Sequence, residues 1–132
     1  MSVFVDTSAF LLILDGDDPD HPKAVKIWNE LQDQEETLIT TNYILVESIA
    51  LMQRRLSLAA VKLFHDRIVP VLQIEWLSPQ QHNDVLNSLL IANQRHLSFV
   101  DCASFLTMNR LGITKAFVFD KHFRNQGFTC IP

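Results

Sequence analysis

The chain has 132 residues, a formal net charge of −4, 48% hydrophobic residues and 20% charged residues. This composition is typical of a globular protein and excludes a disordered chain, and the length predicts a single domain over residues 1–132. No apolar run approaches the roughly 20 residues that a membrane span requires, and two cysteines do not make a disulfide framework. We therefore expect a cytoplasmic protein with no membrane partner.

Charge is unevenly distributed between the two parts of the chain. Residues 1–51 contain ten acids and two bases, whereas residues 52–132 contain five acids and nine bases. The net acidity argues against nucleic-acid binding through bulk electrostatics alone. It leaves open an acidic cluster that holds cations while local bases contact phosphates.

Short apolar runs alternate along the chain with longer amphipathic ones. In chain order, the pattern predicts a strand over 3–5, helices over 8–14 and around 24–31, a strand over 37–41, helices over 43–52 and 57–68, a strand over 71–77, helices over 78–95 and 98–111, a strand over 116–119 and an edge strand over 128–131. This alternation is typical of βαβ units, so the fold class is α/β with a mostly parallel sheet.

Four carboxylates occur where apolar residues are expected. Asp6 and Asp120 each end an apolar run that we predict as a strand, and Glu47 and Asp101 lie within apolar helices. Burying an ionised carboxylate is unfavourable by several kcal/mol or more unless it is compensated. Ligands of open parallel sheets bind at the carboxyl ends of the strands, where Asp6 and Asp120 would lie.

Each of these acids also has a purely local interpretation. Asp6 could be the N-cap of the helix that follows it, and Asp101 could complete a capping box with Ser98, three positions earlier. Asp120 could begin a turn.

The fourth acid, Glu47, also has a local interpretation, as a buried acid paired with an arginine such as Arg95 or Arg110. Taken together, however, the four acids fit a single scheme, because converging carboxylates repel one another unless cations neutralise them. Mg²⁺ or Mn²⁺ suits oxygen ligands, and such an ion can lower the pKa of a water and stabilise charge on a phosphodiester. Crowding should also raise carboxylate pKa values when no metal is bound.

Other chemistries lack the residues that they need. The five histidines show no zinc-ligand spacing with Cys102 or Cys130, and three glycines cannot supply a phosphate-binding loop. Cys102, beside Asp101, is interpreted as a small core residue rather than a nucleophile.

Four segments together resemble the PIN-domain family, and within it the small VapC-type toxins. They are Val-Phe-Val-Asp-Thr-Ser at 3–8, Tyr-Ile-Leu-Val-Glu-Ser at 43–48, Leu-Ser-Phe-Val-Asp at 97–101 and Phe-Asp-Lys-His-Phe at 119–123. The resemblance spans nearly the whole chain. It implies a three-layer α/β/α (FEN-like) fold with a mostly parallel sheet, and metal-dependent endonucleolytic cleavage of RNA.

The resemblance also implies a role for each matching residue. Asp6 and Asp101 would be the principal ligands of Mg²⁺ or Mn²⁺. Glu47 would complete the shell of the first metal, and Asp120 would serve a second metal or polarise water. Ser8 would support the acids through a hydrogen bond.

Basic residues follow the last acid. Lys121, His122 and Arg124 could contact RNA phosphates or could simply form a solvated turn. Many relatives have Thr two residues before the last Asp, where this chain has Val118, which places only a supporting hydroxyl in doubt.

The resemblance implies three partners: an RNA substrate, a cognate antitoxin docked in a groove between apolar helices, and a second copy in a homodimer. The leading hypothesis is the toxin of a type II toxin–antitoxin pair. The alternatives are an RNA-processing PIN nuclease without an antitoxin, and a catalytically silent RNA-binding module on the same fold.

Overall fold

Five strands and seven helices alternate along the chain in the structure, a computed structural model that describes residues 1–132. The strands are β1 (Ser2–Val5), β2 (Thr37–Thr41), β3 (Gln73–Glu75), β4 (Lys115–Phe117) and β5 (Thr129–Ile131). The helices are α1 (Thr7–Leu14), α2 (His21–Asp33), α3 (Asn42–Arg55), α4 (Leu58–Leu63), α5 (Pro79–Ala92), α6 (Phe99–Leu111) and α7 (His122–Asn125).

All strand pairs are parallel, and the sheet has the order β3-β2-β1-β4-β5. The chain moves outward from β1 to β3 and then returns to the other side of β1. Right-handed crossovers therefore place α1 to α4 on one face of the sheet and α5 to α7 on the other. The predicted three-layer α/β/α fold is confirmed.

Strand β1 is the centre of the sheet, and it is buried on both faces. Val3, Phe4 and Val5 are each at most 1% exposed, which is why this run has no polar alternation. On one face Phe10 packs edge-on against Phe64, with ring centroids 5.1 Å apart.

The opposite face of the sheet is filled by aromatic rings from α6, α7 and the chain before β5. Phe123 packs edge-on against Phe105, with centroids 4.9 Å apart, and lies 6.1 Å from Phe4. Phe105 also stacks on Phe128 at 5.7 Å. These rings hold the beginning of α7 against the sheet.

Several predicted elements have different ends in the structure. The helix predicted over 57–68 is α4 followed by a π-helical turn, Phe64–Ile68. Pro70 has no N–H to continue a helix, and a 3₁₀ turn forms over Val69–Val71. Val71 therefore belongs to this turn and not to the strand predicted over 71–77. The helix predicted to reach Arg95 ends at Ala92, because Asn93 adopts a left-handed conformation with φ 50°.

The solvated turn considered after Asp120 is correct only in part: Lys121 and Arg124 are exposed, but α7 begins at His122 and Phe123 is fully buried. A four-residue helix is too short to produce a periodic apolar pattern.

None of the helices combines the length and the apolar character that a membrane-spanning helix requires.

We predict that Phe123→Ala lowers the free energy of unfolding by about 3–5 kcal/mol, the usual effect of removing a buried aromatic ring. Urea unfolding followed by circular dichroism would measure it. Leu58→Ala is the control, because Leu58 is 69% exposed and surface changes usually stay within about 0.5 kcal/mol. A loss for Phe123→Ala no larger than the control's would contradict the packing described here.

Candidate active site

Four acids meet at the carboxyl edge of the sheet, and we refer to Asp6, Glu47, Asp101 and Asp120 as the acidic cluster. Asp6 directly follows β1, and Asp120 lies three residues beyond β4, the neighbouring strand. Glu47 lies in α3, the helix that leaves β2, and Asp101 lies in the first turn of α6. The topology thus brings together residues up to 114 positions apart.

Asp6 is fixed by hydrogen bonds on both its backbone and its side chain. Its N–H donates to the carbonyl of Phe117 in β4 at 3.1 Å. Its carboxylate Oδ2 accepts from the backbone N–H of Ser8 at 3.1 Å and from the Ser8 hydroxyl at 2.7 Å. Asp6 is therefore the N-cap of α1, as the local interpretation held, and is also a member of the acidic cluster.

Ser8 links two of the segments that carry acids. While its hydroxyl donates to Asp6, the same oxygen accepts from the N–H of Phe119 at 3.0 Å, one residue before Asp120. Nearby Val118 is buried and supplies no hydroxyl. The polar link predicted for Ser8 is present in the structure.

Asp101 is positioned by the start of α6. The Ser98 hydroxyl accepts from the Asp101 N–H at 2.9 Å and so caps the helix. The Asp101 carboxylate faces His122 rather than the backbone of Ser98, with Oδ2 3.1 Å from His122 Nδ1. The predicted capping box is therefore only half formed, and the carboxylate is available to the site.

His122 belongs to this site rather than to the surrounding surface. Its Nδ1 lies 3.4 Å from Asp120 Oδ1, and its backbone N–H donates to the same oxygen at 2.6 Å. Donor atoms of Asp101, Asp120 and His122 all lie within 4.8 Å of one another. From the sequence, His122 is predicted only as a phosphate contact; its position two residues after an acid at a predicted strand end is the one local feature that indicates a place in the site.

The ionisation of the acids reflects burial first and mutual repulsion second. The pKa of Asp6 is raised to about 7, chiefly by burial; the charges of Asp101 and Glu47 add to this rise and the hydrogen bonds from Ser8 oppose it. Burial also raises the pKa of Glu47 and of Asp101, and the charge of Asp120 adds to both shifts. His122 opposes the shift of the Asp101 pKa. The expected rise is confirmed, although crowding is the smaller cause.

The other local interpretations of the acids have mixed outcomes. Glu47 forms no salt bridge with Arg95 or Arg110, and Arg110 pairs instead with Glu75 at 3.6 Å, so the proposed pairing of Glu47 with an arginine is wrong. Asp120 does begin a turn, because it accepts the N–H of His122.

Solvent exposure decreases across the acidic cluster, from Asp120 at its open side, which we call the mouth, to Asp6 at its buried side. The Asp120 side chain is 34% exposed, and Asp6 as a residue is only 5% exposed. Lys121 and Arg124 lie exposed on and beside α7. A ligand would therefore meet Asp120 and the bases of α7 before it reached Asp6.

Three helix N-termini contribute positive potential to the acidic cluster. Asp6 caps α1, Asp101 lies in the first turn of α6, and Asp120 accepts the first N–H of α7. Helix N-termini favour negative charge, which offsets part of the repulsion. Oxygen donors with one adjacent imidazole fit a divalent cation, and carboxylates are the ligands that Mg²⁺ and Mn²⁺ prefer.

We predict that metal-free protein loses stability as pH rises from about 4 to about 7. Unfolded Asp has a pKa near 3.9, and Asp6 in the fold has a pKa of about 7. The folded state therefore binds the proton more tightly, and its advantage disappears as both states ionise. Asp6→Asn keeps an oxygen for the N-cap and removes the charge, so at pH 8 it should be on the order of 2–4 kcal/mol more stable than wild type.

Urea unfolding in chelator at pH 5 and pH 8 measures this difference. Asp20→Asn is the matched control, because Asp20 precedes α2, is exposed and makes no capping hydrogen bond. Added Mn²⁺ should raise the wild-type Tm by mass action and raise that of Asp6→Asn less. Equal pH profiles for wild type and Asp6→Asn would contradict a buried, strained charge at Asp6.

Known proteins are similar to this chain in both sequence and fold. The profile of the PIN domain family matches residues 3–128. The chain is 31% identical over 127 residues to the 23S rRNA-specific endonuclease VapC20 of Mycobacterium tuberculosis, in strains CDC 1551 / Oshkosh and H37Rv, which covers 96% of this chain and 95% of that protein.

A solved structure agrees with the sequence match. The crystal structure of Mycobacterium tuberculosis VapC20, titled a Sarcin-Ricin loop cleaving toxin, superposes with a TM-score of 0.84 at 31% identity and covers 97% of each chain. Because sequence profile, relative and fold agree over nearly the whole length, the chain belongs to the PIN domain family.

Proposed function

We propose that this protein is a metal-dependent endoribonuclease that hydrolyses RNA phosphodiester bonds at the acidic cluster. The observation that carries the proposal is the convergence of four acids, three of them with raised pKa values, at the carboxyl edge of the sheet. A relative that covers 96% of the chain bears the name of a 23S rRNA-specific endonuclease, which supports RNA as the substrate class.

The acids would hold Mg²⁺ or Mn²⁺. Asp6 and Asp101 are the proposed principal ligands, Glu47 completes that shell directly or through water, and Asp120 serves a second ion or polarises water. When bound, such an ion supplies a water of lowered pKa and stabilises negative charge on the phosphodiester.

Residues around the acids would position the substrate and the ligands. Ser8 holds the Asp6 carboxylate and the backbone before Asp120 in fixed relation through its two hydrogen bonds. The imidazole of His122 hydrogen-bonds to the Asp101 carboxylate through Nδ1 and limits its orientation. Lys121 and Arg124, both exposed near the mouth, would contact RNA phosphates.

The activity would be that of a toxin held in check by an antitoxin in the cytoplasm. The relative VapC20, whose crystal structure resembles this fold, is described as a toxin. A cavity of about 210 Å³ beside α1 would receive a segment of the antitoxin that carries both apolar and charged side chains. Its lining combines three leucines with polar and charged residues: Leu11, Leu12, Leu56, Ser8, Asp15, Asp18 and Arg55. A homodimer would cover the apolar side chains that α5 exposes, such as Ile91, which is 84% exposed.

We predict that Asp101→Asn lowers metal-dependent RNA cleavage at least about 100-fold, because an amide cannot replace the charge of a metal-ligating carboxylate. Labelled RNA incubated with Mn²⁺ or Mg²⁺, and with chelator, measures the activity. Asp33→Asn, an exposed acid at the end of α2, is purified in parallel and should cleave like wild type.

Equal cleavage by Asp101→Asn and wild type that chelator abolishes would remove Asp101 from the site, whereas equal cleavage that persists in chelator would indicate a contaminating nuclease. RNA binding without cleavage in any metal would favour the catalytically silent module.

We also predict that expression of the wild-type chain alone arrests bacterial growth, whereas Asp101→Asn at equal abundance does not. Colony counts after induction, with immunoblots for abundance, measure the effect. The Asp33→Asn variant should arrest growth. Normal growth with active wild-type enzyme would favour the RNA-processing nuclease over the toxin.

A further inference from the structure

An open, mostly apolar cavity of about 440 Å³ lies beside the acidic cluster, and the function proposed above does not use it. Its lining is Tyr43, Val46, Glu47, Phe99 and Val100, and we refer to it as the side cavity. Its single charged residue is Glu47, and no Lys or Arg lines it. A cavity of this character suits an uncharged, flat group rather than a phosphate.

The side cavity is continuous with the acidic cluster through two helices. In α3, Val46 directly precedes Glu47, which belongs to both the cavity and the cluster. In α6, Phe99 and Val100 directly precede Asp101. An RNA chain whose phosphate lies at the acids would therefore have this cavity alongside it.

One side of the cavity is a fixed aromatic surface. The rings of Tyr43 and Phe99 stack with centroids 5.7 Å apart and an interplanar angle of 21°. His82 from α5 packs against both rings and hydrogen-bonds to the Tyr43 hydroxyl. Three helices thus hold the rings in place before any ligand arrives.

The remaining wall is apolar and accessible to solvent. Val46 is 68% exposed, although it neighbours a carboxylate that is partly buried. A second protein copy seated on this wall would also cover Glu47, an acid that the proposed function needs open to RNA. A nucleotide fits better, because its base can cover Val46 while its phosphate lies toward the acids.

We propose that the side cavity binds a nucleobase of the RNA substrate next to the phosphodiester bond that is cut. This inference rests on the proposed function, since it needs the phosphate at the acidic cluster. Single-stranded or looped RNA can present an unstacked base, and aromatic and apolar surfaces bind its face largely independently of sequence. The side cavity then positions the bond, while the acids carry out the chemistry.

Val46→Trp tests the proposal by filling the side cavity from an exposed position. Leu58→Trp is the matched control, because Leu58 is 69% exposed, lies on α4 and does not line the cavity. RNA cleavage sites of wild type are first mapped on bulk ribosomal RNA, and a short oligonucleotide spanning one site is then used. We expect kcat/KM of Val46→Trp to fall about 10- to 100-fold, the range of one base-stacking interaction, with Leu58→Trp unchanged.

Phe99→Ala provides a second route, since it removes stacking surface instead of adding bulk. For both variants, the rise in Tm on adding Mn²⁺ reports whether the acids are still in place, and we expect it to match wild type. An oligonucleotide with an abasic residue beside the cut bond should be cleaved by wild type with the same 10- to 100-fold loss. Val46→Trp and Phe99→Ala should lose nothing more on it, because the interaction is already absent.

Three results would overturn the proposal. If wild type cleaves RNA and Val46→Trp cleaves it equally well, no base occupies the side cavity. If Val46→Trp, unlike Leu58→Trp, changes the oligomeric state in size-exclusion chromatography and abasic RNA is cleaved normally, a second copy covers the cavity. If wild type cleaves no RNA in any metal, the proposed function itself fails, and this outcome is distinct from the other two.

Discussion

Repulsion among four carboxylates gathered at one edge of the sheet is the constraint on which the site depends. Burial adds to this constraint by disfavouring the charged form of each buried acid, and it is the larger cause of the raised pKa of Asp6, about 7. The fold compensates with the positive ends of α1, α6 and α7 and with the hydroxyl of Ser8. These groups carry no full charge, so they reduce the repulsion among the carboxylates without neutralising their negative charge. A site balanced in this way still favours a cation.

The remainder of the fold holds that strained arrangement in place. β1 is buried on both faces, so the residue that follows it has little freedom to move away from its neighbours. The Thr40 hydroxyl donates to the Val5 carbonyl at 2.8 Å, and the Asp6 N–H donates to Phe117 at 3.1 Å. Asp6 is thereby tied to the strands on both sides of β1. The acids are therefore held in fixed relative positions by a rigid sheet, as a preorganised site requires.

The sequence predicted the acids more reliably than their surroundings, for a physical reason. Asp6, Glu47, Asp101 and Asp120 each interrupt an apolar segment, and that anomaly can be read from neighbouring residues alone. The contact of His122 with Asp101 joins residues 21 positions apart and depends on how α7 packs. A four-residue helix leaves no periodic pattern, so nothing in the sequence indicates that α7 forms or that Phe123 is buried.

The same limit applies to the side cavity. The individual residues that form its aromatic surface are ordinary helix residues, and neither Tyr43 nor Phe99 is unusual in its local sequence. Their stacking joins α3 to α6 across 56 positions and exists only when both helices lie against the sheet. Strand and helix order could be predicted from periodicity, whereas a surface shared by two helices could not.

Helices α3 and α6 each supply one acid of the acidic cluster and apolar residues of the side cavity, so a displacement of either helix alters both. Adjacent residues of an α-helix point about 100° apart, so α3 and α6 present an acid to the cluster and an apolar residue to the side cavity within one turn. A shift of α6 by one residue would withdraw Asp101 from His122 and Phe99 from Tyr43 together. The geometry of the acids and the surface beside them are therefore set by the same packing, and neither can be altered independently by moving a helix.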